Sequence, residues 1–69
     1  MKLSTRNQLS GTVTGVKLGT IMAEATVDVG GQAIVAAITR ESAESLGLTE
    51  GDSVTVLIKA TEVMIGKSD

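Results

Sequence analysis

Cysteine and histidine are absent from the chain, and so are phenylalanine, tyrosine and tryptophan. Without thiols no disulfide can staple the fold, and no thiolate can act as nucleophile or metal ligand. The lack of imidazole removes the ligands on which zinc, copper and iron sites usually depend. It also removes the base that activates serine in nucleophilic triads. A Ser–Lys dyad would need Lys59 buried and neutral. The carboxylate pairs Glu24/Asp28, Glu41/Glu44 and Glu50/Asp52 fall where solvated faces or turns are expected. The chain is therefore read as a non-enzyme.

Long apolar runs are missing too. The longest, Ala33–Ile38, is far short of the ~20 residues a membrane helix needs. The opening Met1-Lys2-Leu3-Ser4-Thr5-Arg6 lacks the apolar segment of a secretory signal. A cytoplasmic location without a membrane partner is expected. Basic excess is also lacking: the net charge is −2, and Lys2, Arg6, Lys17, Arg40, Lys59 and Lys67 are scattered. Nucleic-acid binders usually carry a basic face, and single-strand binders add aromatic platforms, so no nucleic-acid partner is expected.

What is present is 69 residues, 42% hydrophobic, with a mean hydropathy of +0.29. That composition describes one globular domain over residues 1–69 with a core of Val, Ile, Leu, Met and Ala. So short a chain buries only ~60% of the surface its unfolded form exposes. With no disulfide to help, oligomerisation is the remaining stabiliser, and an obligate homo-oligomer is expected over a marginal monomer.

The pattern along the chain is mostly β. Ala23–Val29 alternates apolar and polar residues, as a half-buried strand does. Gly30-Gly31 suits a two-residue hairpin turn. The return strand Gln32–Ile38 is apolar on both faces and should be covered on both, within a barrel or at a subunit interface. Gly11–Lys17 reads as a first strand, turning at Leu18-Gly19-Thr20. Val54–Lys59 alternates again, and after a kink around Ala60-Thr61, Val63 and Ile65 resume the pattern as a fifth strand. One helix is expected between, with Thr39 as N-cap, Arg40–Leu46 as its body and Gly47 ending it in the left-handed conformation. Glu50-Gly51-Asp52 is a turn into the next strand. This order suits an all-β fold, a small five-stranded barrel of the OB type with one short helix.

Hydrogen-bond donors gather at three places. Ser4-Thr5-Arg6-Asn7-Gln8 packs hydroxyls, a guanidinium and two amides together without an acid. Thr39 and Ser42 sit at the start of the expected helix, where free backbone amides favour negative charge. Lys59 ends a strand, with the Ala60 amide beside the kink.

Ser4-Thr5-Arg6-Asn7-Gln8-Leu9-Ser10-Gly11 resembles the S-A-R-N-Q-x-x-G opening of the molbindins, small molybdate- and tungstate-binding proteins also called molybdenum-pterin-binding proteins. Ala37-Ile38-Thr39-Arg40-Glu41-Ser42, Leu46-Gly47-Leu48 with Glu50-Gly51, and Ile58-Lys59-Ala60-Thr61-Glu62-Val63-Met64-Ile65 are similar to theirs as well. The likeness covers nearly the whole chain in order and spacing. The unit also resembles the paired C-terminal domains of molybdate-responsive regulators and domains appended to molybdate-transporter ATPases. It implies a TOBE-like, OB-type barrel with strands exchanged between subunits, assembled as a hexamer, a trimer of dimers. Molybdate or tungstate is the implied ligand, with no other cofactor, held at subunit interfaces for storage and molybdenum homeostasis. By position, Ser4, Arg6, Lys59 and the Ala60 backbone amide would come from one subunit, and Thr39 and Ser42 from its neighbour. Position 5 departs from the pattern, with Thr where the family often has Ala. Two other readings stand beside this one. One is an oligomerising regulatory or structural module that stores nothing. The other is part of a molybdate-responsive DNA-binding regulator, for which a basic recognition helix is lacking.

Overall fold

Gly30 and Gly31, with φ of 57° and 87°, reverse the chain between β2 (Met22–Val29) and β3 (Gln32–Thr39). Two successive positive φ angles match the right-handed twist of the flanking strands, and glycine adopts them without steric cost. The computed structural model describes residues 1–68. Its backbone is organised by β1 (Asn7–Leu18), a strand of 12 residues. The first half of β1 pairs antiparallel with β4 (Ser53–Ile58), from Asn7↔Ile58 to Thr12↔Ser53. The second half pairs with β2, from Thr12↔Asp28 to Leu18↔Ala23. The sheet order is β3-β2-β1-β4.

The handover between neighbours occurs at a bulge. Val13 faces Val27 and Gly15 faces Thr26, so Thr14 is the extra residue, and its hydroxyl donates to the Thr26 carbonyl at 3.3 Å. A bulge bends its strand and increases the local twist, which lets β1 serve two partners in succession. Gly11 lies just before it, where a Cβ would stand 2.6 Å from Val27 Cγ1 and 2.7 Å from the Asp28 carbonyl oxygen. Only a residue without a side chain fits this crossing. Ladder bonds continue past β4: Val13 N–H donates to Asp52 O at 2.9 Å, and Gly51 N–H to Val13 O at 2.8 Å.

Val13, Ala23, Ala25 and Val27 are buried on one side of the sheet, joined by Ala43 from α1 (Arg40–Leu46). The helix is bounded as its sequence dictates. Thr39 accepts from Ser42 N–H, Gly47 takes φ 63°, and Leu48 N–H donates back to Ala43 O at 3.2 Å.

Several expectations are corrected. Four strands form, not five: Ala60–Glu62 is a 3-10 turn, and Val63, Met64 and Ile65 leave it without joining the sheet. A strand exists only where a neighbouring edge satisfies its backbone, and neither β3 nor β4 receives this segment from its own chain. The sheet therefore keeps two open edges among the described residues. β1 also begins earlier than Gly11, because Asn7–Ser10 pairs with β4 on a solvent-facing stretch that tolerates polar side chains. Within one chain β3 is covered on one face, with Ile34, Ala36 and Ile38 half-buried and Val35 59% exposed; the expected cover of its other face at a subunit interface is a property of the assembly.

The surface has a consequence for assembly. A folded monomer of this mass exposes roughly 4,000 Å² by the usual scaling. This chain of 7.0 kDa exposes 5535 Å². Its radius of gyration is 13.0 Å, against about 11 Å for a compact chain of its length. One copy by itself is too open for its size.

Candidate functional site

The register Asn7↔Ile58 brings the N-terminal donors beside the end of β4. Arg6 and Lys59 follow one residue beyond this last pair. Ser4, Thr5, Arg6, Leu57, Lys59, Ala60 and Thr61 line one depression of about 400 Å³. Among the described residues no carboxylate lines it. Lys59 has φ −62° and ψ 129° and directly precedes the 3-10 turn. The turn's own bonds run from Glu62 N–H to Lys59 O at 2.9 Å and from Val63 N–H to Ala60 O at 3.4 Å. The Ala60 amide is used by neither, as expected of the first N–H groups of a helical turn.

Thr39 and Ser42 form a second group. Ser42 N–H donates to Thr39 Oγ1 at 3.1 Å, and the Thr39 hydroxyl donates to Ser42 Oγ at 2.8 Å. This relay leaves the Ser42 hydroxyl proton as the one without an acceptor in the pair. Both residues line a depression of about 440 Å³ together with Glu41, Ser45 and Leu46. Neighbouring Arg40 is already engaged: its Nε donates to Glu44 Oε1 at 2.9 Å, its Nη1 to Gly19 O at 3.3 Å, and its N–H to Ile21 O at 2.8 Å. It ties the helix to the β1–β2 connection.

The six residues singled out from sequence thus fall into a group of four and a group of two, and the two depressions share no residue. Thr39 pairs with Met22, beside the Leu18 end of β1, whereas Lys59 lies beyond the Asn7 end. A straight strand of that length spans roughly 35–40 Å, so even a bent β1 holds the groups at opposite ends of the chain. One copy cannot close both around a small ligand. Thr5, part of the N-terminal donor cluster, and Thr61 also line the first depression; Thr61 is the one that sequence reasoning does not single out, its hydroxyl two residues beyond Lys59 being the available signal.

Comparison with known proteins identifies the family. The TOBE domain family matches residues 3–65. "Molybdenum-pterin-binding protein 1" of Clostridium pasteurianum is 47% identical over 66 residues, covering 94% of this chain and 97% of its own. The solved structure of a molybdate-binding protein from Sporomusa ovata superposes with a TM-score of 0.92 at 48% identity, covering 97% of this chain and 100% of that one. The cytoplasmic molybdate-binding protein ModG, solved with molybdate bound, gives a TM-score of 0.83 at 43% identity, over 87% of this chain and 43% of ModG. These relatives share the mostly-β, OB-like fold with its single short helix. The chain belongs to the TOBE domain family and, within it, to the molybdenum-pterin-binding proteins, the molbindins.

Proposed function

We propose that this protein binds molybdate, and tungstate as its close analogue, between subunits of a homo-oligomer and stores it in the cytoplasm for molybdenum homeostasis. One observation carries the reading. The acid-free cluster Ser4, Arg6, Lys59 and Ala60 and the hydroxyl pair Thr39 and Ser42 lie at opposite ends of a chain that leaves excess surface uncovered. A second copy juxtaposing the two ends completes a cradle of donors. The hexameric arrangement, a trimer of dimers, supplies that juxtaposition repeatedly. The exposed Val63-Met64-Ile65 segment, with Met64 93% and Ile65 92% accessible, is the strand exchanged with a neighbour.

The chemistry follows from the ligand. Molybdate and tungstate are tetrahedral dianions whose oxygens only accept hydrogen bonds, so a pocket of donors satisfies every partner. Lys59 and Arg6 supply charge; Thr39, Ser42, Ser4 and the Ala60 amide supply geometry. Monohydrogen phosphate carries a proton that needs an acceptor, and leaving it unpaired costs ~1–3 kcal/mol. Sulfate has the same charge but shorter bonds, so its rejection rests on the size of the closed cradle. Substrate turnover has no part in this reading, in keeping with relatives named for binding alone.

Native mass spectrometry with and without molybdate tests the proposal, reading subunit number and bound anions together. Oligomers that retain molybdate through desalting are expected. A lone subunit, or an oligomer that takes up neither molybdate nor tungstate, overturns it. The second of these outcomes would leave a structural oligomerisation module.

A further inference from the structure

The donors of the Ser4/Arg6/Lys59/Ala60 cluster stand on two chain segments outside the sheet, held by no strand pairing. Residues 1–6 precede β1, and Lys59 follows the last residue of β4. Arg6 and Lys59 are exposed, with long flexible side chains. Between these two arms lie Asn7 and Gln8, the first residues of β1. The Asn7 side-chain amide donates from Nδ2 to the Ile58 carbonyl at 3.0 Å, half-buried and linking residues 51 apart in sequence. The Gln8 side-chain amide donates from Nε2 to the Thr5 carbonyl at 2.7 Å. One bond therefore grips the peptide group that leads into Lys59. The other grips the peptide group that leads into Arg6.

We infer that Asn7 and Gln8 are positioning residues for the oxyanion cradle, each fixing one of its arms, an inference that rests on the function proposed above. Local propensity does not explain their place, since asparagine is disfavoured in strands and a strand opening in solvent gains little from either amide. Their bonds to backbone carbonyls do explain it, because such bonds lock the chain path ahead of and behind them. An anion site needs donors already aimed before the ligand arrives, or part of the binding free energy is spent on ordering them. Neither amide has to touch the ligand for this. Each acts through the peptide group it grips: Asn7 through the Ile58 carbonyl on Lys59 and the Ala60 N–H, Gln8 through the Thr5 carbonyl on Arg6 and Ser4.

The test is a double-mutant cycle on the full-length oligomer, read by calorimetric titration with sodium molybdate. Asn7→Ala is expected to weaken molybdate binding about tenfold, the size of effect seen when groups orienting a bound ion's ligands are removed. In a Lys59→Ala background the same change is expected to cost less than twofold, because the arm it aims no longer carries its charge. Gln8→Met, nearly isosteric and uncharged, is expected to weaken binding about fivefold with subunit number and ligand-free melting temperature unchanged. It keeps the test decisive should Asn7→Ala not assemble. Equal losses for Asn7→Ala in both backgrounds, or wild-type affinity in Gln8→Met, overturn the inference alone. Failure of the wild-type protein to bind molybdate overturns the proposed function and the inference with it.

Discussion

Thr39 and Ser42 are bound to each other twice: Ser42 N–H donates to Thr39 Oγ1 at 3.1 Å, and the Thr39 hydroxyl donates to Ser42 Oγ at 2.8 Å. Thr39 thus carries the helix cap and also orients Ser42, while the Ser42 hydroxyl proton has no acceptor within the pair. The two roles separate by mutation. Thr39→Ala is expected to cost ~1 kcal/mol of stability through the lost cap, and to weaken molybdate binding as well. Ser42→Ala is expected to stay within ~0.5 kcal/mol of wild-type stability, as surface changes do. It should nevertheless weaken binding by ~0.5–1.5 kcal/mol through the lost hydroxyl. Thermal melts beside calorimetric titrations check this, and unchanged affinity in Ser42→Ala removes its hydroxyl from the site.

Lys59 is expected to give the largest single effect. Lys59→Ala should weaken molybdate binding by ~1.5–3 kcal/mol, the range for a hydrogen bond to a charged group. Lys17, opposite Glu24 in the last pair but one of the β1–β2 ladder and at the far end of β1 from Lys59, is the control. Lys17→Ala should leave affinity unchanged; equal losses in both would point to general electrostatic attraction instead of a defined cradle.

Two glycines of β1 predict opposite outcomes. A Cβ at Gly11 meets Val27 Cγ1 at 2.6 Å and the Asp28 carbonyl oxygen at 2.7 Å, and a backbone atom cannot swing aside. Gly11→Ala is expected to destabilise the fold by ~1–3 kcal/mol, as overpacking does. At Gly15 a Cβ meets nothing within 4 Å, and its φ is not positive. Gly15→Ala should be neutral or stabilise by up to ~1 kcal/mol, by restricting the unfolded chain. Denaturant unfolding distinguishes them, and equal midpoints would show that β1 and β2 do not approach so closely in solution.

If the anion sits between subunits, ligand and assembly stabilise one another. At a molybdate concentration one hundred times its dissociation constant, the bound form should gain ~2.7 kcal/mol per site. The melting temperature should therefore rise with molybdate and with protein concentration. A melting curve indifferent to molybdate would separate binding from assembly.

Much of the fold is legible in the sequence because its local signals are governed by near neighbours. The turn at Gly30-Gly31 and the helix with Thr39 before it and Gly47 after it form as read. The apolar alternation of Ala23, Ala25 and Val27 likewise marks the buried face of β2. The expected first strand starts at Gly11, yet Asn7–Ser10 is strand too, because only its pairing with Ile58–Thr55 makes it one. Val63–Ile65 reads as strand and is not one within this chain, since alternation states a preference and pairing needs a free edge. The grouping of Ser4, Arg6, Lys59 and the Ala60 amide is implied by the family resemblance; composition alone leaves three scattered polar residues and an alanine.

The sequence by itself determined the building blocks: an all-aliphatic core, glycines where φ must be positive, a capped helix, and donors without histidine, cysteine or a basic patch. These depend on side-chain chemistry and on neighbours a few residues away. The tertiary structure decided where the donors meet. The bond from Asn7 to Ile58 joins residues 51 apart, and the length of β1 carries Thr39 and Ser42 away from Lys59. Such relations depend on strand order and register, which arise from closing long loops and pairing distant edges, so no short stretch of sequence encodes them.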